Sequence, residues 1–217
     1  MELIEAIEER KSIRAFKLCP IPKETIEGIL HLAMKAPSAI NLQPWEFTVV
    51  GGREKERLCR RLVKAYGEKR VSCSPQATRP LPPEVDRRRR ELLQEMKPYV
   101  DELGASFEDF INEGSFNFYG APTAIIISMD RAFPQTRSVC IGAALGYLVL
   151  AAHAHGLGTC PIGIITAFED DIKDQLNIPE GKEVILGVAI GYPDWESPVN
   201  RFKSSRENPA NITRWFV

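Results

Sequence analysis

The chain has 217 residues, with 28 Lys and Arg against 29 Asp and Glu and a formal charge of −1. At 44% hydrophobic and 26% charged residues its composition is that of a globular protein, which excludes a disordered or collagen-like chain. The charge balance excludes a global field that would recruit nucleic acid or an anionic membrane, and the length suits one ordinary domain.

In chain order, Leu3, Ile4 and Ile7 predict a short amphipathic helix that runs into the basic cluster Arg10-Lys11-Ser12-Ile13-Arg14. Glu2, Glu5, Glu8 and Glu9 are the opposite of a basic export signal, so a cytoplasmic location is expected. Pro22 opens a second helix, whose Ile26, Ile29, Leu30, Ala33 and Met34 follow the spacing of one buried face and which stops before Pro37. A strand is predicted over Phe47–Val50, ended by Gly51-Gly52, and a helix over Glu54–Tyr66. From Gly67 to Pro83 the pattern breaks into an exposed loop, followed by a polar helix over Glu84–Leu103 and a crowd of aromatics from Phe107 to Tyr119. Thr123–Met129 is a nearly all-apolar strand, as expected for burial on both faces. Val139–His155 is a helix apolar almost all round and is expected in the interior; its longest apolar run falls short of the ~18 residues of a membrane span. A charged helix near Phe168–Leu176 and a buried strand over Val184–Gly191 complete an α+β pattern with the sheet in the middle.

Several clusters carry candidate chemistry. Arg10, Lys11, Ser12 and Arg14 are matched late in the chain by Arg201, Lys203, Ser204, Ser205 and Arg206. Two cationic, hydroxyl-bearing loops could converge on a phosphate, or both could be solvated surface; spacing alone leaves both open. Ser38 and Asn41 follow a helix exit and could bind a ligand or satisfy local backbone groups. The segment Gly156–Gly163 fails as a dinucleotide fingerprint, because Pro161 stands at the third glycine position and the segment follows a helix. It still offers a close-approach backbone at Gly163. Gly142 and Gly146 invite close helix packing, within the chain or across a subunit interface.

Other chemistries are not supported. The five cysteines are odd in number without a C-x-x-C pair, and Cys160 reads as a buried structural thiol. His153 and His155 lie on different faces of a helix and His31 is isolated, so no metal site is expected. The run Arg87–Arg90 is flanked by Glu84, Asp86, Glu91 and Glu95 and reads as a salt-bridged helix face. No Ser/His/Asp pattern or Walker loop is present.

Together these blocks resemble the FMN-dependent nitroreductases, from about Leu3 to the last residues, with Gly67–Glu113 the poorly matched part. Arg10-Lys11-Ser12-Ile13-Arg14-Ala15-Phe16 is similar to the family's R-x-S-x-R-x-F opening. Ala36-Pro37-Ser38-Ala39-Ile40-Asn41-Leu42-Gln43-Pro44-Trp45 resembles the A-P-S-x-x-N-x-Q-P-W block. Phe118–Pro122, Gly191–Pro193 and Pro198–Arg201 look closest to the nitrobenzoate-reductase-like branch.

The resemblance implies a three-layer α-β-α sandwich with a central mixed, mainly antiparallel sheet, in an intertwined homodimer. It implies a single domain over 1–217, with 67–119 a variable helical lid. Arg10, Lys11, Ser12 and Arg14 would contact FMN, with Lys203 and Arg206 completing the phosphate site. Pro37, Ser38, Ala39 and Asn41 would reach the partner's flavin in trans. Pro161, Ile162 and Gly163 would form the loop over the flavin, the Gly163 N–H directed at N5, and no side chain would be a catalytic acid or base. NAD(P)H would reduce the flavin by hydride transfer and be replaced by a nitroaromatic or quinone on the same face. Activated C=C reduction, reductive dehalogenation, or flavin binding with little turnover are the alternatives the resemblance leaves.

Overall fold

The computed structural model describes residues 2–69, 71 and 80–217. At its centre lies a four-stranded sheet in the order β1-β2-β4-β3, formed by β1 (Trp45–Gly51), β2 (Thr123–Asp130), β3 (Gly158–Ile162) and β4 (Lys182–Gly191). Every pairing between these strands is antiparallel. The parallel component among the described residues is an isolated bridge of Ser12 to Thr159. The α+β architecture with a mainly antiparallel sheet is therefore the one expected.

Successive side chains of a strand point to opposite faces, and β2 is apolar on both. Ala124 and Ile126 enter one core with Leu58 and Leu62 of α3 (Gly52–Glu68), Phe116 of α5 (Phe107–Phe116) and Ile172 of α7 (Glu169–Leu176). Ile125, Ile127 and Met129 enter a second core with Ile26 and Ile29 of α2 (Lys23–Ala33) and Ile141 and Leu148 of α6 (Ser138–Ala154). Helices thus cover both faces of the sheet, giving three layers.

A further helix lies over the first face near the end of β3. In α4 (Pro83–Asp101), Met96 and Val100 pack with Val199 and Phe202 in a third, smaller cluster, and Tyr99 meets Phe202 with ring centroids 5.8 Å apart. An ion pair between Arg201 and Glu102 adds to this contact, so α4 is tied to the segment that carries Lys203. Much of the loop expected between 67 and 83 lies outside the described residues.

Two expectations differ from the structure. Pro161 and Ile162 were expected in a loop and lie in the strand Gly158–Ile162; Pro161 is tolerated because β3 is a sheet edge, where one flank needs no ladder partner. The apolar helix α6 is only half interior. Ala144, Leu148 and Ala152 are fully buried, whereas Val139 is 76% and Tyr147 45% exposed. Gly142 is exposed and a Cβ there would meet nothing within 4 Å, so packing inside the chain does not explain this glycine. By length and hydropathy alone Gln135–Ala154 would suffice to cross a membrane, but its buried face is that of a core helix packed against α2 and the sheet. Its neighbour α1 (Leu3–Glu9) likewise turns Leu3, Ile4 and Ile7 to the surface.

Candidate functional site

The basic segment after α1 is held along the edge of the sheet by its backbone. The Ile13 N–H donates to the Thr159 carbonyl at 2.9 Å, and the Lys17 N–H donates to the Tyr192 carbonyl at 2.9 Å. Buried Ile13 sits against Gly158, where a Cβ would come within 2.5 Å of Ile13 Cγ1, so only glycine permits this approach. Buried Asn200 ties the late loop to the same segment. Its Oδ1 accepts from the Arg14 N–H at 2.9 Å, and its Nδ2 donates to the carbonyls of Ala15 and Asp194 at 2.7 and 2.8 Å.

The result is the convergence that spacing left open. Arg10, Lys11, Lys203, Ser204 and Arg206 line one cavity of about 430 Å³, closed on one side by Gly146, Val149 and Leu150 of α6. Among the described residues Glu8 is the one carboxylate residue on its wall. Among the described residues none of the four cations forms an ion pair. Instead they repel one another: burial and then Arg206 push the Arg10 guanidinium below its ordinary pKa, and burial and then Lys203 do the same to Lys11. Arg206 Nη1 donates to Ser204 Oγ at 2.6 Å and to the Ser205 carbonyl at 2.8 Å, which fixes its direction. Lys11 Nζ lies 5.4 Å from the Trp195 ring centroid.

A second cavity, of about 370 Å³, opens under α4 and α5 where β3 ends. Arg14, Tyr119, Cys160, Pro161, Ile162 and Gly163 form part of its wall. Phe118, Tyr119 and Gly120 have successive positive φ of 55°, 51° and 72°, a strained turn that sets the Tyr119 ring beside Arg14, whose guanidinium carbon is 5.8 Å from it. The Tyr119 hydroxyl meets Ser115 Oγ at 3.2 Å, and the Ser115 hydroxyl donates to the Ile111 carbonyl at 2.6 Å. Burial, with Cys160 adding to it and Arg14 opposing it, pushes the Tyr119 phenol up to about 12, so it stays protonated. Gly163 has φ −84°, which any residue adopts, and a Cβ there would meet nothing within 4 Å. Nothing in the chain itself demands glycine at this point, and among the described residues its N–H has no hydrogen-bond acceptor.

Other expected residues are not gathered in. Pro37, Ser38, Ala39 and Asn41 line neither cavity. They lie on an exposed turn in which Ile40, Asn41 and Gln43 have φ of 44°, 60° and 46°. There the Gln43 N–H donates to Ser38 Oγ at 3.1 Å and Gln43 Nε2 to Asn41 Oδ1 at 3.1 Å, so within the protomer both side chains serve local backbone and side-chain groups. Ser12 bridges Thr159 by its backbone and lines neither cavity. The arginine run is salt-bridged as expected: Arg87 to Glu91 and Glu207, Arg89 and Arg90 to Asp86. Arg89 also faces the second cavity. Sequence reasoning gave no role to Asn200, Tyr119 or Arg89. The only signals were a buried-type amide inside Pro198–Arg201 and a tyrosine before a glycine, and neither indicates a partner.

A family model described as the nitroreductase family matches residues 7–192. The 4-nitrobenzoate reductase of Pseudomonas putida is 29% identical over 97% of this chain and 93% of its own length. The chloronitrobenzene nitroreductase of Comamonas testosteroni is 30% identical over 96% of this chain and 94% of its own. The crystal structure of the FMN-dependent nitroreductase NfnB from Mycobacterium smegmatis in complex with NADPH matches with a TM-score of 0.89 and 27% identity, covering 99% of this chain and 97% of that one.

Proposed function

The chain belongs to the nitroreductase family, and we propose that it is an FMN-dependent NAD(P)H oxidoreductase reducing nitroaromatics or quinones as a homodimer. The observation that carries this reading is the cavity of mutually repelling cations at Arg10, Lys11, Lys203 and Arg206. Four like charges in one cavity destabilise the empty fold and are suited to a dianion such as the FMN phosphate. The residues of the second cavity fit the ring: an open glycine face at Gly163 with a free N–H donor, flanked by Pro161 and Ile162.

When bound, FMN would supply the two-electron redox chemistry between NAD(P)H and the acceptor. The chain's own residues bind, orient and screen. Arg10, Lys11, Lys203 and Arg206 would hold the phosphate, with Ser204 on the same wall. The Gly163 N–H would be placed to donate to the ring, and Arg14, on the same cavity wall, would set a positive charge beside it. Within 67–119, the helices α4 and α5 roof the cavity and would exclude water as a lid. Within the single domain 1–217, the turn carrying Pro37, Ser38, Ala39 and Asn41 reaches the partner's flavin. Its strained, exposed conformation and the apolar faces left open on α1 and α6 support that assembly. A cytoplasmic location belongs to the same reading, in keeping with the supply of NAD(P)H that the reaction needs.

The purified protein is expected to absorb in the flavin band and to bleach with NAD(P)H under argon. After anaerobic reduction, a nitroaromatic should reoxidise it faster than it reoxidises free reduced FMN. Reoxidation no faster than that of the free cofactor would overturn the assignment and leave a flavin carrier.

A further inference from the structure

A third cavity, of about 320 Å³, adjoins the one that ends at Gly163. Among the described residues Arg14 and Tyr119 are the two that line both, so these side chains form the partition between them. The two sides differ in charge. Exposed Asp109 and Glu113 stand on the wall of the third cavity, whereas the cavity at Gly163 carries no carboxylate among the described residues. Long-range attraction and hydration both draw the Arg14 guanidinium outward, toward Asp109, Glu113 and water.

Asn200 holds Arg14 by its backbone N–H, and the guanidinium lies against the Tyr119 ring. Several separate features fix that ring. Phe118 and Tyr119 keep left-handed φ of 55° and 51°, a conformation that non-glycine residues hold only where the surrounding structure enforces it. Gly114 of α5 gives the ring room: a Cβ there would come within 2.7 Å of Tyr119 Cε1 and 2.9 Å of Cδ1. Phe110 packs against it at a centroid distance of 5.6 Å. The hydroxyl meets Ser115 Oγ at 3.2 Å and lies 3.5 Å from the Ile111 carbonyl. Arg14 opposes, by its charge and a hydrogen bond, the burial that raises the phenol, so the two groups are in direct contact.

Resting on the oxidoreductase reading above, we infer that Tyr119 is a positioning residue for the redox step: it holds the Arg14 guanidinium at the cavity of Gly163, away from Asp109 and Glu113, so that the charge acts on the bound flavin. A cation fixed beside a ring that gains negative charge favours the reduced state and raises the reduction potential. The same cation turned outward is screened by water and salt. Tyr119 acts through Arg14 and gives up no proton in this role.

The test measures the midpoint potential of the FMN-loaded protein by equilibration with a reference dye. Arg14→Gln should move the ratio of reduced to oxidised flavin about tenfold toward oxidised, a fall of about 30 mV for a two-electron couple. Tyr119→Asn removes the ring with a residue that tolerates left-handed backbone, and should give most of the same fall. Tyr119→Phe keeps the ring and should recover much of the wild-type value. In the Arg14→Gln background, Tyr119→Asn should lower the potential no further, because its effect passes through Arg14. Gly114→Ala keeps Tyr119 and favours the helix while displacing the ring, and should also lower the potential, so the result does not depend on how well Tyr119→Asn folds. A fall that Tyr119→Asn adds in full to that of Arg14→Gln overturns the inference, since Tyr119 would then act on the flavin directly. So do unchanged potentials in both Tyr119→Asn and Gly114→Ala, or in Arg14→Gln. Failure of the oxidoreductase reading looks different: the bound flavin would show these shifts and yet be neither reduced by NAD(P)H nor reoxidised by an acceptor.

Discussion

Replacing Arg10 or Arg206 with alanine should weaken FMN binding without weakening the fold. Both side chains line the cationic cavity, and neither has a carboxylate partner among the described residues. Each supplies a charge-assisted contact to a dianion, worth about 1.5–3 kcal/mol. At 1.36 kcal/mol per tenfold, the dissociation constant for FMN should rise by roughly 10- to 150-fold per substitution. The double variant should lose less than the sum, because both groups act on one phosphate. The empty protein behaves differently. Burial and then the like charge of Arg206 push Arg10 below its ordinary value, so removing either side chain relieves that repulsion while losing some packing of the aliphatic stem. The apoprotein should therefore stay within about 0.5 kcal/mol of the wild type. Quenching of FMN fluorescence gives the affinity, repeated at two ionic strengths because the salt dependence should fall with the lost charge. Thermal melts of the apoprotein give the second quantity. Unchanged FMN affinity in both variants would refute the reasoning, and so would a large loss of apoprotein stability, which would make these arginines structural.

The remaining predictions concern two glycines and one buried ion pair. Gly158→Ala should force its new Cβ into Ile13, 2.5 Å away, costing about 1–3 kcal/mol of stability and displacing the basic segment, so melting temperature and FMN affinity fall together. Gly163→Ala should leave the apoprotein melt unchanged and weaken FMN by about tenfold or more, because its Cβ meets only open space in the chain and would occupy the ring's place; a melt that drops with Gly163→Ala would contradict this. Buried Lys173 donates to Glu169 at 3.0 Å, and although burial opposes it, the bonds from Lys173 and the Val184 N–H hold the Glu169 carboxyl below its ordinary value. The stability this supplies is complete above the ordinary carboxylate range and is lost as pH falls through the lowered folded value. Glu169→Gln should therefore cost about 3 kcal/mol at neutral pH and less in acid, by urea unfolding at the two pH values; a pH-independent cost would sink the linkage argument.

Much of the site was legible because its signals are local. The i, i+3, i+4 spacing of Ile26, Ile29 and Ala33 identifies a buried helix face without reference to the rest of the chain, and all three are buried in α2. The unbroken apolar run of β2 likewise announces burial on both faces. What misled was also local. Pro161 and Ile162 read as loop, because whether a proline is tolerated depends on which strand of the sheet is an edge. The uniform hydrophobicity of α6 indicated an interior helix and could not distinguish a helix buried all round from one with an exposed apolar face.

From sequence alone follow the α+β class, the two basic clusters, the glycines at the end of β3 and the absence of any acid–base motif, since each is a property of neighbouring residues. Only the tertiary structure decided that Arg10 meets Arg206 and Lys11 meets Lys203, that Asn200 fastens one loop to the other, and that Arg89 alone of its run faces a cavity. The physical reason is range. Periodicity and turn chemistry are set within a few residues, whereas convergence of charges depends on strand order and helix rotation, which the packing of the whole chain determines.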